Sequence, residues 1–379
     1  MKSNSEQMNY LKFDNKLYGV LNNALISPRN CVVARTDLVS RYAPGGIHTY
    51  DDYDRFLKDV KANEKEIIPG YVSSGDFFDS YMQGSGYFML FASTFYCRLD
   101  AADFRLVPME RIDEFKTAYF LYENWKKNGM LADPGNTDIS QAIQDGTLAS
   151  VVFQMSYDYY RSIAVDKFNY SVYPLYLNRQ YVRSGLPYSI AVNSRSKYPE
   201  RALMFIDWLE SSQENYDLFM YGIKDKNYKL NGNALDMSGI DWNSQMFRWE
   251  GSDAFKNYNL DRPFPYEPED YKAYIEKCAL NNTITNTQLF NNHGIDLVGY
   301  LSRSNEKELD DNSSEHDQIL ALLDKRTKLY QSFTQRVDTG EIEGALQEFI
   351  GQINDADSDK IVNYYLHQIQ KVKDSQKQQ

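Results

Sequence analysis

Short apolar runs and helix-period patterns alternate along this chain. Lys16-Leu17-Tyr18-Gly19-Val20 alternates and meets a glycine, which reads as a strand running into a turn. Cys31-Val32-Val33-Ala34 is an unbroken apolar run of the kind found in buried strands. Thr49 then stands as an N-cap before YDDYDRFLKDVKANE, with Asp51 and Asp52 in the first turn and Tyr53, Phe56, Leu57 and Val60 on one face. Ile67-Ile68-Pro69 suggests a strand leaving that helix. Residues 109–128 predict a second helix with basic residues at its end and Gly129 as its stop. A short helix over Ile139–Asp145 ends at Gly146, and Ala149–Phe153 predicts a strand. Ser189–Val192 predicts another strand, followed by a turn through Asn193, Ser194 and Ser196. Pro199 and Glu200 then open a helix whose buried face is expected at Ala202, Phe205, Ile206 and Leu209. Helices over Ile319–Val337, Ile342–Ile353 and Asp357–Lys373 close the chain. Strands separated by helix-sized intervals favour a parallel sheet in an α/β architecture.

Between these elements the chain is irregular from 224 to 270, and SNEKELDDNSSEHD at 304–317 reads as an exposed polar linker. The length, 379 residues, accommodates about two or three domains. A net charge of −12 repels phosphate backbones and anionic lipid, so nucleic acid is not an expected partner. The 31 Tyr, 20 Phe and 4 Trp supply the flat apolar faces and polar tips that sugar-binding clefts use, although most rings are expected in the core. Cys31, Cys97 and Cys278 form no CxxC pair, and the four histidines (His48, His293, His316, His367) form no HExxH pattern. No metal, cofactor or catalytic residue is expected. MKSNSEQMNYLKFDN has no apolar h-region and no lipid-attachment cysteine, so it does not read as a signal peptide. No apolar run approaches the ~20 residues of a membrane span.

GLPYSIAVNSRSKYPERALMFIDWL at 185–209 resembles a strand–turn–helix passage of bacterial extracellular solute-binding proteins, the capture subunits of ABC importers. The opening KFDNKLYGVLNN…CVVARTDLVSRY resembles the passage where that family crosses from its first lobe to its second. HTYDDYDRFLKDVKANEKEIIP resembles the following helix and strand, with Tyr50 where a tryptophan is usual. ISQAIQDGTLASVVF resembles the next element, with Gly146 and Ala149 matching and Thr147 at a lysine position. MYGIKDKNYKL at 220–230 and the tail ALQEFIGQINDADSDKIVNYYLHQI resemble the subgroup of large lipoproteins linked to oligosaccharide uptake. In the tail, Ser358 occupies an isoleucine slot.

The resemblance implies an α/β, periplasmic-binding-protein-like type II fold, two lobes with a hinge, the first lobe incomplete. Residues 1–23 and 188–290 would be a remnant of lobe 1; 24–187 and 291–379 would form lobe 2 with the C-terminal helices. It implies a monomeric cell-surface lipoprotein, extracytoplasmic although this chain shows no lipobox. Such a protein captures an oligosaccharide or other polar solute between its lobes and delivers it to permease subunits without breaking a bond. The ligand contacts it implies are Asn22 and Asn23 at the first crossing, Asp76 and Phe77 in a loop, and Gln154, Ser156, Tyr157 and Asp158 after the Ala149–Phe153 strand. Tyr330, starting a helix, joins them. Trp242 and Trp249 flank the turn-rich segment with rings able to stack on a sugar. Each has a structural alternative: a turn at Asn22–Asn23, a core ring at Tyr157, helix packing at Tyr330, and packing, the stronger reading, for the tryptophans. The alternatives to capture are a glycan-active enzyme, with Asp76 and Asp158 as acid and base, or a truncated remnant without a transport role.

Overall fold

The computed structural model describes residues 11–13, 16–21, 30–91, 94–98, 104–154, 170–176, 180–182, 189–236, 254–263, 283–285 and 313–377. The chain divides into two compact units, one of Met1–Ile26 with Ser184–Glu276, the other of Ser27–Arg183 with Lys277–Gln379.

The larger unit opens with β1 (Asn30–Arg35), followed by α1 (Thr36–Tyr42), α2 (Tyr50–Asn63) and α3 (Ser74–Gly84). A three-stranded antiparallel sheet comes next: β2 (Tyr87–Phe91), β3 (Phe95–Arg98) and β4 (Leu106–Pro108). Then come α4 (Asp113–Lys127), α5 (Ile139–Asp145), β5 (Ser150–Gln154) and β6 (Tyr170–Pro174). The unit ends with α6 (Ser313–Asp338), α7 (Ala345–Gln352) and α8 (Asp355–Lys377).

β1 is the centre of a second sheet, flanked by β5 and β6, and both pairings are antiparallel. Its CVVA run is buried throughout, as a central strand covered on both faces requires. The parallel sheet expected from strand–helix alternation is therefore not what the main ladders form. Alternation predicts direction only when sequence neighbours pair, and here β1 pairs with strands more than a hundred residues away. Parallel contact survives in single bridges, Ile68 with Leu148 and Tyr71 with Val151, so the strand expected at Ile67–Pro69 is reduced to isolated bridges. Residues 180–182 and 283–285 also pair in parallel.

Local signals shaped the helices closely. Thr49 and Asp52 form a capping box at the start of α2, each side chain accepting from the other's backbone N–H. Replacing Thr49 with Ala should cost about 1 kcal/mol, read as a lower urea midpoint. Gly146 closes α5 in the left-handed conformation, at φ 71°. The expected helix at 109–128 divides into a 3-10 turn at Met109–Arg111 and then α4.

The core is a nest of rings. Tyr50, Tyr53, Phe77, Trp125 and Tyr122 from α2, α3 and α4 meet edge-to-face or tilted. Phe333 of α6 and Phe349 of α7 stack at 4.8 Å and continue it, with Phe333 also stacked on Phe78. A smaller cluster joins Phe95 and Leu106 to Ile319, Leu323 and Ile361.

In the other unit, Val20–Leu21 pairs antiparallel with Ser189–Ile190. A hairpin, Lys229–Asn231 with Ala234–Asp236, turns through Gly232 at φ 61°. Buried Asp217 accepts from the Arg262 guanidinium at 2.7 Å and from Gln213 at 2.8 Å. Helix Pro199–Ser211 has proline in its first turn as expected, but its expected buried face is a correction. Leu209 alone is buried; Ala202 and Ile206 are half-buried, and Phe205 is exposed with Leu203, Met204 and Trp208. Period identifies which residues share a helix face, not what covers it. Phe205 finds ring partners in Trp208, Phe219 and Phe255.

Candidate functional site

The first residue of β1 lies where a polar chain of side chains meets the end of the sheet. Asn30 pairs across the ladder with Gln154, the last residue of β5, and its carbonyl accepts from the Leu175 N–H at 2.8 Å just past β6. Asn30 Nδ2 donates to Gln83 Oε1 at 2.8 Å, and Gln83 Nε2 donates to Asp79 Oδ2 at 3.2 Å. Both amides are buried, with Asn30 3% and Gln83 5% exposed. The carboxylate sets the direction of the chain. Because Asp79 accepts, Gln83 must turn its NH₂ toward it and its oxygen toward Asn30. Asn30 must then give its NH₂ to Gln83, which leaves Oδ1 pointing elsewhere. That oxygen is buried and has no hydrogen-bond partner among the described residues.

Tyr176 borders the same place. Its backbone sits at φ 49°, in the left-handed region that a non-glycine residue seldom adopts. Its N–H donates to the His48 carbonyl at 2.8 Å, and its hydroxyl accepts from the Tyr50 N–H at 3.1 Å at the start of α2. The ring lies so close over Gly84 that a Cβ there would come within 2.3 Å of a ring carbon. Burial pushes the Tyr176 hydroxyl up to about 12, and neighbouring Tyr81 adds to the shift. Tyr81 stacks on Tyr50 at 5.8 Å and is half-buried, as is Tyr176. The end of the sheet therefore combines a buried amide acceptor with partly open aromatic rings.

Gln154 is the expected contact residue that falls at this place, by its backbone; its side chain lies outside the described residues, as do Asn22, Asn23, Ser156, Tyr157, Asp158, Trp242 and Trp249. Asp76 and Phe77 were expected in a loop. They instead occupy the first turn of α3, because Ser73 caps that helix by accepting from the Asp76 N–H at 3.2 Å. Asp76 is partly buried, and burial raises its carboxyl, with the Asp338 charge adding to the rise. Phe77 turns wholly into the core, 4.8 Å from Tyr50 and 4.9 Å from Trp125. Tyr330 does not start a helix; it lies within α6, 8% exposed, against Phe333 and Phe349. Burial holds its hydroxyl protonated, reinforced by Asp79, Asp338 and Asp76. Asp76 and Tyr330 are thus brought into one carboxylate neighbourhood, and Asp79 links it through Gln83 to Asn30.

Asn30, Gln83 and Tyr176 escaped sequence reasoning. A polar residue before the CVVA run is the one available signal, and it does not say which strand end Asn30 would share. Among the described residues, no group of three or more His, Cys, Asp and Glu is placed to hold a metal ion. No helix among them is long and apolar enough to cross a membrane.

No family model matches the chain, and no curated protein matches it. Solved structures do. The chain is similar to the N-glycan transport solute binding protein NgtS of Streptococcus pneumoniae, with TM-score 0.68 and 13% identity over 98% of this chain and 79% of that one. The fold is that of a solute-binding protein. NgtS in complex with Man5GlcNAc gives TM-score 0.62 and 14% identity over 98% and 78% of the two chains. Its complex with Man1GlcNAc gives 0.61 and 13% over 97% and 78%. The solute-binding fold is the α/β, periplasmic-binding-protein-like architecture that the ordered motifs implied. At this identity the likeness concerns the course of the backbone, and the side chains at the end of the sheet are this chain's own.

Proposed function

We propose that this protein is the substrate-binding component of an ABC importer and captures an oligosaccharide without altering it. The observation that supports this most is the similarity of fold to NgtS, whose name states N-glycan transport and whose complexes hold Man1GlcNAc and Man5GlcNAc. The end of the sheet in the larger unit suits such a ligand, since a pyranose presents C–H faces to rings and hydroxyls to amides. In this reading the two units are the lobes of the binding protein, the permease subunits are the partners, and the protein works as a monomer outside the cytoplasm, anchored as a lipoprotein.

Titration calorimetry of the full chain with Man5GlcNAc and a panel of other oligosaccharides tests the proposal. The expected result is saturable binding of at least one glycan, recovered intact by chromatography after overnight incubation. Cleavage of the bound glycan would convert the assignment to a glycan-active enzyme. A panel with no binder would remove the carbohydrate reading.

A further inference from the structure

Large apolar side chains open to solvent gather in the smaller unit. Nine of the eleven among the described residues belong to it, although the larger unit holds most of the chain. Helix Pro199–Ser211 carries the densest group, Leu203, Met204, Phe205 and Trp208, with Met204 66% and Trp208 40% exposed. At about 100° per residue, Met204, Trp208, Phe205, Leu209, Ala202 and Ile206 follow one another around roughly 200° of this helix. A single packed neighbour covers about half of such an arc. The Leu209–Ala202–Ile206 half is buried or half-buried, and the Met204–Trp208–Phe205 half faces out. Arg201 interrupts that outer half, and its guanidinium lies 5.1 Å from the centre of the Tyr198 ring. Helices of an α/β fold bury such a face on a sheet. The described strands of this unit form two-stranded pairs, which are too narrow to be stable alone. NgtS carries more chain in the same fold: 98% of this protein matches 79% of it, so a fifth of NgtS, on the order of a hundred residues, has no counterpart here.

We propose that the outer face of helix Pro199–Ser211 is the docking surface of a partner polypeptide, on the order of a hundred residues long, which lays an apolar sheet face over Met204, Phe205 and Trp208 and completes the smaller unit. Two observations select that occupant. The uncovered face and the narrow strand pairs lie in one unit, so a sheet that covers the first also widens the second. The difference in length from NgtS has the size of a small domain, not of a peptide. A second copy of this chain would bring the same narrow pairs and the same open helix, and would cover the face without completing the unit. The inference goes beyond capture, because it concerns how the binding protein is built; each particle holds one copy of this chain.

The full chain, epitope-tagged and isolated without glycan from the cells that make it, tests this beside the double variant Met204→Glu, Trp208→Glu. The expected result is one co-purifying polypeptide of that length, at one copy per chain, whose affinity falls about tenfold or more in the variant. Sequenced, made separately and added back, that polypeptide should quench the fluorescence of anilinonaphthalene sulfonate bound to the apolar face of the purified chain. Both substituted side chains are exposed, so the variant should melt with the parent. Should the Glu variant fail to fold, Met204→Gln, Trp208→Gln carries the same expected loss of affinity. Four results would overturn the inference: a purified chain that binds no dye, because its own residues cover the helix; a covalent mass above that of the tagged 379 residues; self-association in place of a partner; or a partner held equally by parent and variant. Glycan affinity enters none of these measurements, so their outcome is separate from that of the capture proposal.

Discussion

Arg326→Met should lower folding stability by about 3–5 kcal/mol, one of the largest effects of any single substitution in this protein. Arg326 lies in α6 and is buried. Its Nε donates to Thr94 Oγ1 at 2.7 Å, its Nη1 to Ser358 Oγ at 2.7 Å, and its Nη2 to Glu110 Oε2. Ser358 completes the ring of bonds by donating to the other Glu110 oxygen at 3.1 Å, and the guanidinium lies 4.5 Å from the centre of the Phe95 ring. Met matches the volume but leaves the Glu110 carboxylate buried without its cation, and that uncompensated charge carries most of the cost. The double variant Arg326→Met, Glu110→Leu should therefore recover a large part of the loss, since both charges leave together. Urea denaturation of the two variants and the parent measures the difference. A single variant within 1 kcal/mol of the parent, taking ~1 kcal/mol as the ceiling for an exposed pair, would mean that water reaches the cluster.

Phe77→Ala should cost about 3–5 kcal/mol, through lost transfer energy and the cavity left among Tyr50, Tyr122 and Trp125. Phe77→Leu should cost less than half as much, because most of the volume remains. Thermal unfolding followed by circular dichroism reads both. The pair also distinguishes packing from ligand contact. If Phe77→Ala lost glycan affinity while keeping its melting temperature, the ring would be a sugar platform and its full burial in this structure would not describe the working state.

Much of the local architecture was legible because its causes lie within a few residues. The Thr49–Asp52 capping box, the Gly146 stop and the proline start at Pro199 are interactions between near neighbours in sequence. The opening of α3 was not legible in the same way. Ser73 and Asp76 form a three-residue cap, yet the family resemblance placed a loop there, and the cap prevailed. Ser358 shows the opposite case. In sequence it is a departure from an isoleucine position in the tail; in the fold it is the hydroxyl that serves both Arg326 and Glu110, residues far away along the chain. A serine there is unintelligible without those two partners.

The candidate site was legible only in outline. Gln154 lies at the end of the sheet that the fold makes important, but the residue that gives that end its chemistry is Asn30, opposite it on an antiparallel partner. Periodicity likewise grouped Phe205 with Leu209 on one face of a helix, and burial separated them.

By itself the sequence determined most of the longer helices, several of their caps and stops, one buried strand and the order of motifs that points to an α/β solute-binding fold. These depend on backbone hydrogen bonds and side-chain preferences within a turn or two, so the information sits where the structure forms. Tertiary structure alone decided strand direction, the fate of Phe77 and Tyr330 as core rings, the Arg326–Glu110–Ser358 cluster and the orphaned oxygen of Asn30. Each of these is set by groups tens to hundreds of residues apart, and a hydrogen bond or a packed ring exists only once folding has brought both partners to one place.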